Sequence, residues 1–373
     1  MAGIYLHIPF CKQACHYCDF HFSTQLQGKA NFVKALIQEI SLTRNYLKEE
    51  SIKTIYFGGG TPSILSLAEL ENIFESLNEN YSLSEVQEIT LEVNPDDVDA
   101  ETLIGYKKLG INRLSIGIQS FDDGHLKFTN RNHQSSQAIM CVKDAQNAGF
   151  DNISIDLIYG IPSPTHAIWQ QDLETALALK VQHISAYCLT IEPQTVFGKW
   201  KATNKMTFAT DDFEAAQFEI LLERLNAGGF EQYEISNFCT QEKYALHNTN
   251  YWLGKHYLGL GPSAHSFNGQ ERQWNVSNNK SYTEAITLGR LPFEKELLSD
   301  RDKANEYIMI ALRTKWGLNL ARLAEEYLTP TSILEKSLLV LEKKGLIMIE
   351  NNIVYLTQLG KLLGDNVSAE LFI

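Results

Sequence analysis

The sequence predicts an α/β fold: a partial (β/α)6 TIM-like barrel followed by a C-terminal winged-helix-like α+β domain. Three observations carry this. Strand-like and helix-like segments alternate six times before residue 190, the pattern of parallel strands covered by helices. Each strand-like segment runs into polar or glycine-rich residues, which places those ends on one side of the sheet, where barrels collect their chemistry. Beyond residue 299, three helix-like segments lead into a hairpin signal at Asn351-Asn352.

The elements are read in order. Ile4–Ile8 is the first strand, and Asn31–Leu47 a helix with Phe32, Leu36, Ile40 and Leu47 on one face. Thr54–Phe57 is a strand entering Gly58-Gly59-Gly60, followed by a helix Leu67–Leu77 that Ser66 caps. Glu88–Val93, Arg113–Ile118, Ile153–Ile158 and His183–Leu189 are further strands. They alternate with helices Asp99–Leu109, Ser135–Ala148 and Ile168–Leu179. The strand ends read Cys11, Gly58–Thr61, Glu92-Val93-Asn94, Gln119, Asp156 and Tyr187. Asp211–Ala227 is a helix that closes the barrel region. The expected division is a barrel at residues 1–230, an irregular aromatic-rich segment packed on it at 231–298, and a winged-helix-like domain at 299–373.

Composition narrows the function. The formal net charge of −13 argues against nucleic acid as a partner, since binding a phosphate backbone needs clustered Lys and Arg. The segment Ser332–Lys344, the candidate recognition helix, mixes Lys336, Lys343 and Lys344 with Glu335 and Glu342, which favours docking over DNA regulation. No stretch approaches the ~18 uncharged apolar residues of a spanning helix. The opening residues Met1–His7 lack the basic and apolar parts of a signal peptide. Six cysteines are too few for a disulfide scaffold, so a reducing, cytoplasmic setting is expected.

Cys11-Lys12-Gln13-Ala14-Cys15-His16-Tyr17-Cys18 is a C-x3-C-x2-C loop directly after the first strand. Three thiolates suit a four-iron cluster with one iron open to another ligand. Zinc with His16 or His21 as a fourth ligand is the alternative. Cys141, Cys188 and Cys239 stand alone and read as small core residues.

This spacing and location resemble the radical S-adenosylmethionine (SAM) superfamily. The resemblance implies a [4Fe–4S] cluster on Cys11, Cys15 and Cys18, whose open iron is chelated by SAM. An electron from the cluster would then yield a 5′-deoxyadenosyl radical. The loop Gly58-Gly59-Gly60-Thr61-Pro62 would receive the SAM amino group, although read alone a tight βα turn is the better explanation of glycines there. Glu92 would meet the ribose. The pieces Ile4-Tyr5-Leu6-His7-Ile8-Pro9-Phe10-Cys11, Ser115–Phe121 and Asp156–Pro162 resemble the oxygen-independent coproporphyrinogen III oxidase family. That likeness implies Tyr5, Gly59 and Glu92 at the cluster-bound SAM, and Tyr17, Gly60, Thr61, Gln119, Arg131, Asp156 and Tyr187 at a second SAM.

Two departures separate the sequence from the true oxidases. Phe20 stands where they carry a further cysteine, and Cys11 lies close to the start, where they carry an extension. Both match the haem-chaperone branch of the family, HemW, as does His247-Asn248-Thr249-Asn250-Tyr251-Trp252. A histidine is an ordinary haem ligand, and Tyr and Trp offer flat apolar area. The resemblance therefore implies haem near His247, Tyr251, Trp252 and His265. Read alone, His247 and His265 would be core or loop histidines. The implied function is haem transfer to acceptor apo-proteins, with an electron donor or haem donor and a peripheral membrane contact only through an acceptor. Oxidative decarboxylation of coproporphyrinogen III is the alternative. The chain would be a monomer or dimer.

Overall fold

The structure is a computed structural model that describes residues 2–47 and 51–373. Strands β1 (Ala2–Ile8), β2 (Ile52–Gly59), β3 (Glu88–Val93), β4 (Arg113–Gln119), β5 (Ile153–Tyr159) and β6 (His183–Cys188) are consecutive parallel neighbours. Helices Lys29–Leu42, Leu67–Asn80, Ala100–Lys108, Ser135–Asn147 and Ala167–Ala178 make the crossovers. Their starts follow local chemistry. The Ser66 hydroxyl accepts from Glu69 N while Glu69 Oε2 accepts from Ser66 N at 2.8 Å, and Asp99 accepts from Thr102 N at 2.8 Å.

The six strands alternate over most of their length. Ile4, Leu6, Ile8, Ile55, Phe57, Leu91, Leu114, Ile116, Ile155 and Leu157 are buried in one continuous apolar core with the helices. The intervening positions are polar: Tyr56, Glu88, Thr90, Glu92, Arg113, Ser115, Ser154, Asp156, His183 and Ser185. The barrel is thus apolar between sheet and helices and polar inside. At its floor Arg113 and Glu88 lie 4.0 Å apart, their side chains 1% and 2% exposed. The Glu88 carboxylate also accepts from Leu246 N (2.8 Å) and His247 N (3.0 Å), so it caps the helix Leu246–Trp252.

The segment 231–298 is not irregular. β7 (Glu231–Glu234) and β8 (Asn237–Cys239) form a hairpin on the β6 edge. β9 (His256–Leu260) pairs parallel with β1. β10 (His265–Phe267), β11 (Glu271–Asn275) and β12 (Phe293–Leu297) continue antiparallel from β9. The sheet order is β12-β11-β10-β9-β1-β2-β3-β4-β5-β6-β8-β7. These added strands hold three to five residues each, too few for a period-2 pattern to register.

The C-terminal part has winged-helix order. Helix Asp300–Leu312 precedes β13 (Leu318–Asn319), helices Leu320–Glu326 and Glu335–Lys343 follow, and β14 (Ile347–Glu350) and β15 (Ile353–Leu356) form the hairpin. Its sheet runs β13-β15-β14 over a separate core of Ile308, Leu312, Leu323, Leu341 and Val354. Asn351 and Asn352 both have positive φ, as the two-residue turn requires. Ile235 N to the Arg313 carbonyl (3.1 Å) and Lys315 N to the Tyr233 carbonyl (3.0 Å) join this part to the barrel. No helix among the described residues is long and apolar enough to cross a membrane.

Glu39 clamps three elements. Its carboxyl accepts from Gly261 N (2.7 Å), Tyr282 OH (2.6 Å) and Asn275 Nδ2 (2.6 Å). Burial raises this carboxyl to about 7 from an ordinary 4.5, against those hydrogen bonds. Between these values the native chain binds more protons than the unfolded one. The contribution to stability is therefore full below about 4.5 and is lost as pH rises through about 7. Thermal melts of the cluster-free chain across this window should show that fall. Glu39→Gln should flatten it, at a cost of about 1–3 kcal/mol because one donor loses its acceptor.

Candidate functional site

The thiol loop leaves β1 and is stitched down on both sides. Thr61 N donates to the Phe10 carbonyl (2.7 Å), Gly60 N to the Ile8 carbonyl (2.8 Å), and Cys11 N to the Ser23 carbonyl (3.0 Å). Across the barrel mouth, Asn130 Nδ2 donates to the Ala14 carbonyl (2.7 Å) and Gln13 Nε2 to the Asn130 carbonyl (2.9 Å). Two glycines are needed for this seating. Gly59 has φ +105°, and a Cβ on Gly60 would lie 2.7 Å from the Phe10 carbonyl oxygen and 2.8 Å from that of Ile8.

Cys11, Cys15 and Cys18 line one cavity of about 520 Å³ together with Tyr17, Gly59, Gly60, Thr61, Glu92, Gln119, Arg131, Asp156 and Tyr187. The strand-end residues read from the sequence are therefore brought to one place. Arg131 organises it. Its Nη2 donates to Asn94 Oδ1 (2.7 Å) and to the Gly117 carbonyl (2.6 Å), and its Nη1 to Cys15 Sγ (3.5 Å). Asn94 Nδ2 donates to Thr61 Oγ1 (3.2 Å), and Thr61 Oγ1 donates to Cys11 Sγ (3.3 Å). Two of the three sulfurs thus sit on hydrogen-bond donors that favour thiolates. Burial pushes the Cys11 thiol up to about 11 and that of Cys18 to about 12, so taking up iron means expelling their protons. Burial works against the charge of Arg131, but Tyr17 and Cys15 beside it hold its pKa above the usual arginine value. A soft three-sulfur donor set on one wall of an open cavity fits a [4Fe–4S] cluster with one free iron.

The opposite wall carries carboxyls. Glu92 accepts from Tyr56 OH at 2.8 Å, and burial pushes it up to about 8. Burial also raises Asp156, which accepts from the Ser115 hydroxyl at 3.3 Å. Both suit hydrogen bonding to sugar hydroxyls. Gln119 has φ +71° at a register shift in β4, a bulge that re-aims a side chain at a cost of about 1–3 kcal/mol. Tyr187, 43% exposed, lies at the rim.

The sequence reading missed Tyr56, Ser115 and Ser185 at this site. Their signal was the polar alternation itself, since each sits at an inward position of its strand or at the strand end. Cys188 also lines this cavity rather than the core, whereas Cys141 and Cys239 are buried.

Tyr5 stacks on Tyr56 of the carboxyl wall, ring centroids 6.0 Å apart, but does not line the thiol cavity. It lines a second cavity of about 750 Å³ between the barrel and the C-terminal domain, with Tyr251, Trp252, His265, Tyr257 and Arg272. His265 is exposed and stacks with Trp274 at 6.1 Å. His247 lines neither cavity. It is 1% exposed, with Nδ1 2.8 Å from Thr54 Oγ1 and Nε2 2.8 Å from Tyr251 OH. Both ring nitrogens are occupied, so the expected haem-ligand role does not fit this arrangement. Asp19 and Phe20, just after Cys18, line both cavities and form a common wall.

Gly60→Ala should push the thiol loop off β1. Iron and sulfide bound per chain after anaerobic reconstitution should drop severalfold, while circular dichroism stays near that of the parent.

Comparison with known proteins agrees with this geometry. A family model described as the radical SAM superfamily matches residues 5–176, and one described as the HemN C-terminal domain matches 298–363. A Bacillus subtilis protein named heme chaperone HemW is 36% identical over 371 residues, 98% of each chain. The Escherichia coli protein of that name is 36% identical over 266 residues, covering 70% of this chain and 69% of that one. Radical S-adenosyl methionine domain-containing protein 1, mitochondrial, of Danio rerio is 32% identical over 265 residues, 71% of this chain and 60% of that protein. The solved structure of coproporphyrinogen III oxidase (HemN) from E. coli, described as a radical SAM enzyme, superposes with a TM-score of 0.86 at 22% identity. It covers 100% of this chain and 90% of its own, which establishes the shared fold. Membership implies a [4Fe–4S] cluster and SAM, and the chain belongs to the radical SAM superfamily, within the family of the heme chaperone HemW proteins.

Proposed function

We propose that this chain is a haem chaperone that holds haem in the second cavity and passes it to acceptor apo-proteins. The carrying observation is that cavity itself. At about 750 Å³ it has room for a macrocycle, and Tyr5, Trp252, Tyr257 and Phe267 offer flat apolar walls. Lys255, Arg272, Lys303 and Arg322 also line it and supply cations for two propionates. Arg272 is already oriented by Glu306, with contacts of 2.6 and 2.9 Å. The full-length relatives named heme chaperone HemW support the same reading.

Reductive cleavage of SAM is the chemistry that cluster and SAM supply when bound. The chain's own residues prepare that site. Cys11, Cys15 and Cys18 would hold the cluster, and Gly59, Glu92 and Tyr56 would meet the SAM beside it. Gln119, Arg131 and Asp156 could take a second SAM. Arg131 and Thr61 direct donors at sulfur, and Glu92 keeps its proton at neutral pH. The wall at Asp19–Phe20 gives the cluster loop a direct mechanical route to the haem cavity. Cargo loading and release are thereby tied to the state of the cluster site. Acceptors are apo-proteins that bind haem, reached from the open side of the cavity.

Anaerobic reconstitution followed by titration with haem and with SAM on one sample tests this. Haem should produce a saturating Soret change at one haem per chain, and Arg272→Ala should weaken it about tenfold. No Soret change sinks the proposal. Coproporphyrinogen III, SAM and dithionite together should yield no protoporphyrinogen. The exposed phenyl ring of Phe20, 69% accessible, offers no thiol at the position where the oxidases carry one. Product formation would restore the oxidase reading.

A further inference from the structure

The haem reading leaves open which atom of the chain meets the iron. His247 opens the His-Asn-x-x-Tyr-Trp motif and is the residue type most often found there. Its position forbids it. Thr54 Oγ1 sits 2.8 Å from Nδ1, Tyr251 OH sits 2.8 Å from Nε2, and the backbone N–H of His247 is tied to Glu88 at 3.0 Å. The ring therefore has neither a free nitrogen nor room to swing. Tyr251 lies one helical turn further on and lines the cavity that His247 does not reach.

We propose that Tyr251 is the protein ligand to ferric haem iron, and that His247 is fixed behind it as the hydrogen-bond donor to the phenolate. This rests on the haem-chaperone reading. Tyrosine is an established axial ligand for haem iron. A neutral phenol is a poor ligand, so the site must favour the phenolate once iron arrives. The hydrogen-bond chain does this. In this assignment the Thr54 hydroxyl, 2.8 Å away, is the donor to Nδ1, and the proton of a neutral imidazole then stands on Nε2, facing the Tyr251 oxygen. Burial and the Arg113 charge push the His247 pKa down to about 3, so the ring stays neutral. In the exchange, an Fe–O bond to Tyr251 forms as an iron-bound water leaves. The phenolic proton passes to solvent in the cavity, and the iron remains ferric. Burial raises the Tyr251 phenol well above 10, so the phenolate exists only under iron. Tyr257, its ring 4.5 Å from that of Tyr251 at 82°, completes the wall beside the ligand.

The test is a titration of the purified full-length chain with ferric haem, followed by visible absorption and resonance Raman spectroscopy. The parent should show a tyrosinate-to-iron charge-transfer band and phenolate ring modes. Tyr251→Phe should lose both and bind haem about tenfold more weakly or worse. His247→Ala should keep the band at a shifted energy, because the phenolate loses its donor. Tyr251→His, which preserves a ring and a partner for His247, should turn the spectrum to a histidine-ligated type. It carries the test if the phenylalanine variant melts anomalously. A parent spectrum without phenolate features overturns the assignment, as does a histidine signature removed by His265→Ala or His21→Ala. Such results leave the haem reading standing, whereas a parent that takes up no haem overturns both.

Discussion

A buried arginine facing a buried glutamate closes the floor of the partial barrel, and the arrangement above depends on this pair. Taking either charge out of water alone would be costly, and removing one partner would strand the other. The positive charge of Arg113 offsets part of the burial penalty on Glu92 and Asp156, and it helps keep His183 and His247 neutral. Glu88 spends its other lone pairs on the first amides of helix Leu246–Trp252. One interaction thus tempers the effect of burial on the cofactor wall and seats the helix that carries Tyr251.

The two cavities are products of one strand. β1 is the parallel partner of both β2 and β9, so it lies in the middle of the large sheet. Its inward residues Tyr5 and His7 line the second cavity, and the loop that follows it carries the thiols of the first. Tyr5 OH lies 3.2 Å from His7 Nδ1, and His7 Nε2 lies 2.8 Å from the His21 carbonyl. The stretch after Cys18 is thereby pulled back over β1 and becomes the shared wall. A rigid strand whose inward face lines one cavity and whose following loop lines the other needs no separate relay between them.

Much of this was legible in the sequence because the relevant signals are local. The thiol spacing, the glycine run after β2 and the polar residue closing each strand declare themselves within a few positions. Reading Glu92, Gln119 and Asp156 as strand ends placed them on the same side of the sheet before any packing was known. Two kinds of information were not local. Tyr5 and Tyr56 are register partners on adjacent strands, yet Tyr5 turns to the second cavity and Tyr56 to the first, which depends on the sheet's curvature. His247 resembles a ligand by motif, and only the distant Thr54 and Glu88 reveal it as a held core histidine. The short strands of residues 231–298 were hidden for the same reason, since their partners lie far away in sequence.

The far edge of the large sheet bears on how this protein behaves in a crowded solution. Among the described residues β12 pairs only with β11, and all five of its residues are exposed. Leu297, at 79% accessibility, and Phe293 would make such a border attractive to another chain. Between them stand Glu294, Lys295 and Glu296, with Lys295 bound to Glu271 at 2.9 Å. An incoming strand would have to bury these charges to add itself to the ladder. The sequence Phe-Glu-Lys-Glu-Leu is therefore a guard against polymerisation, placed where an open sheet would otherwise keep growing.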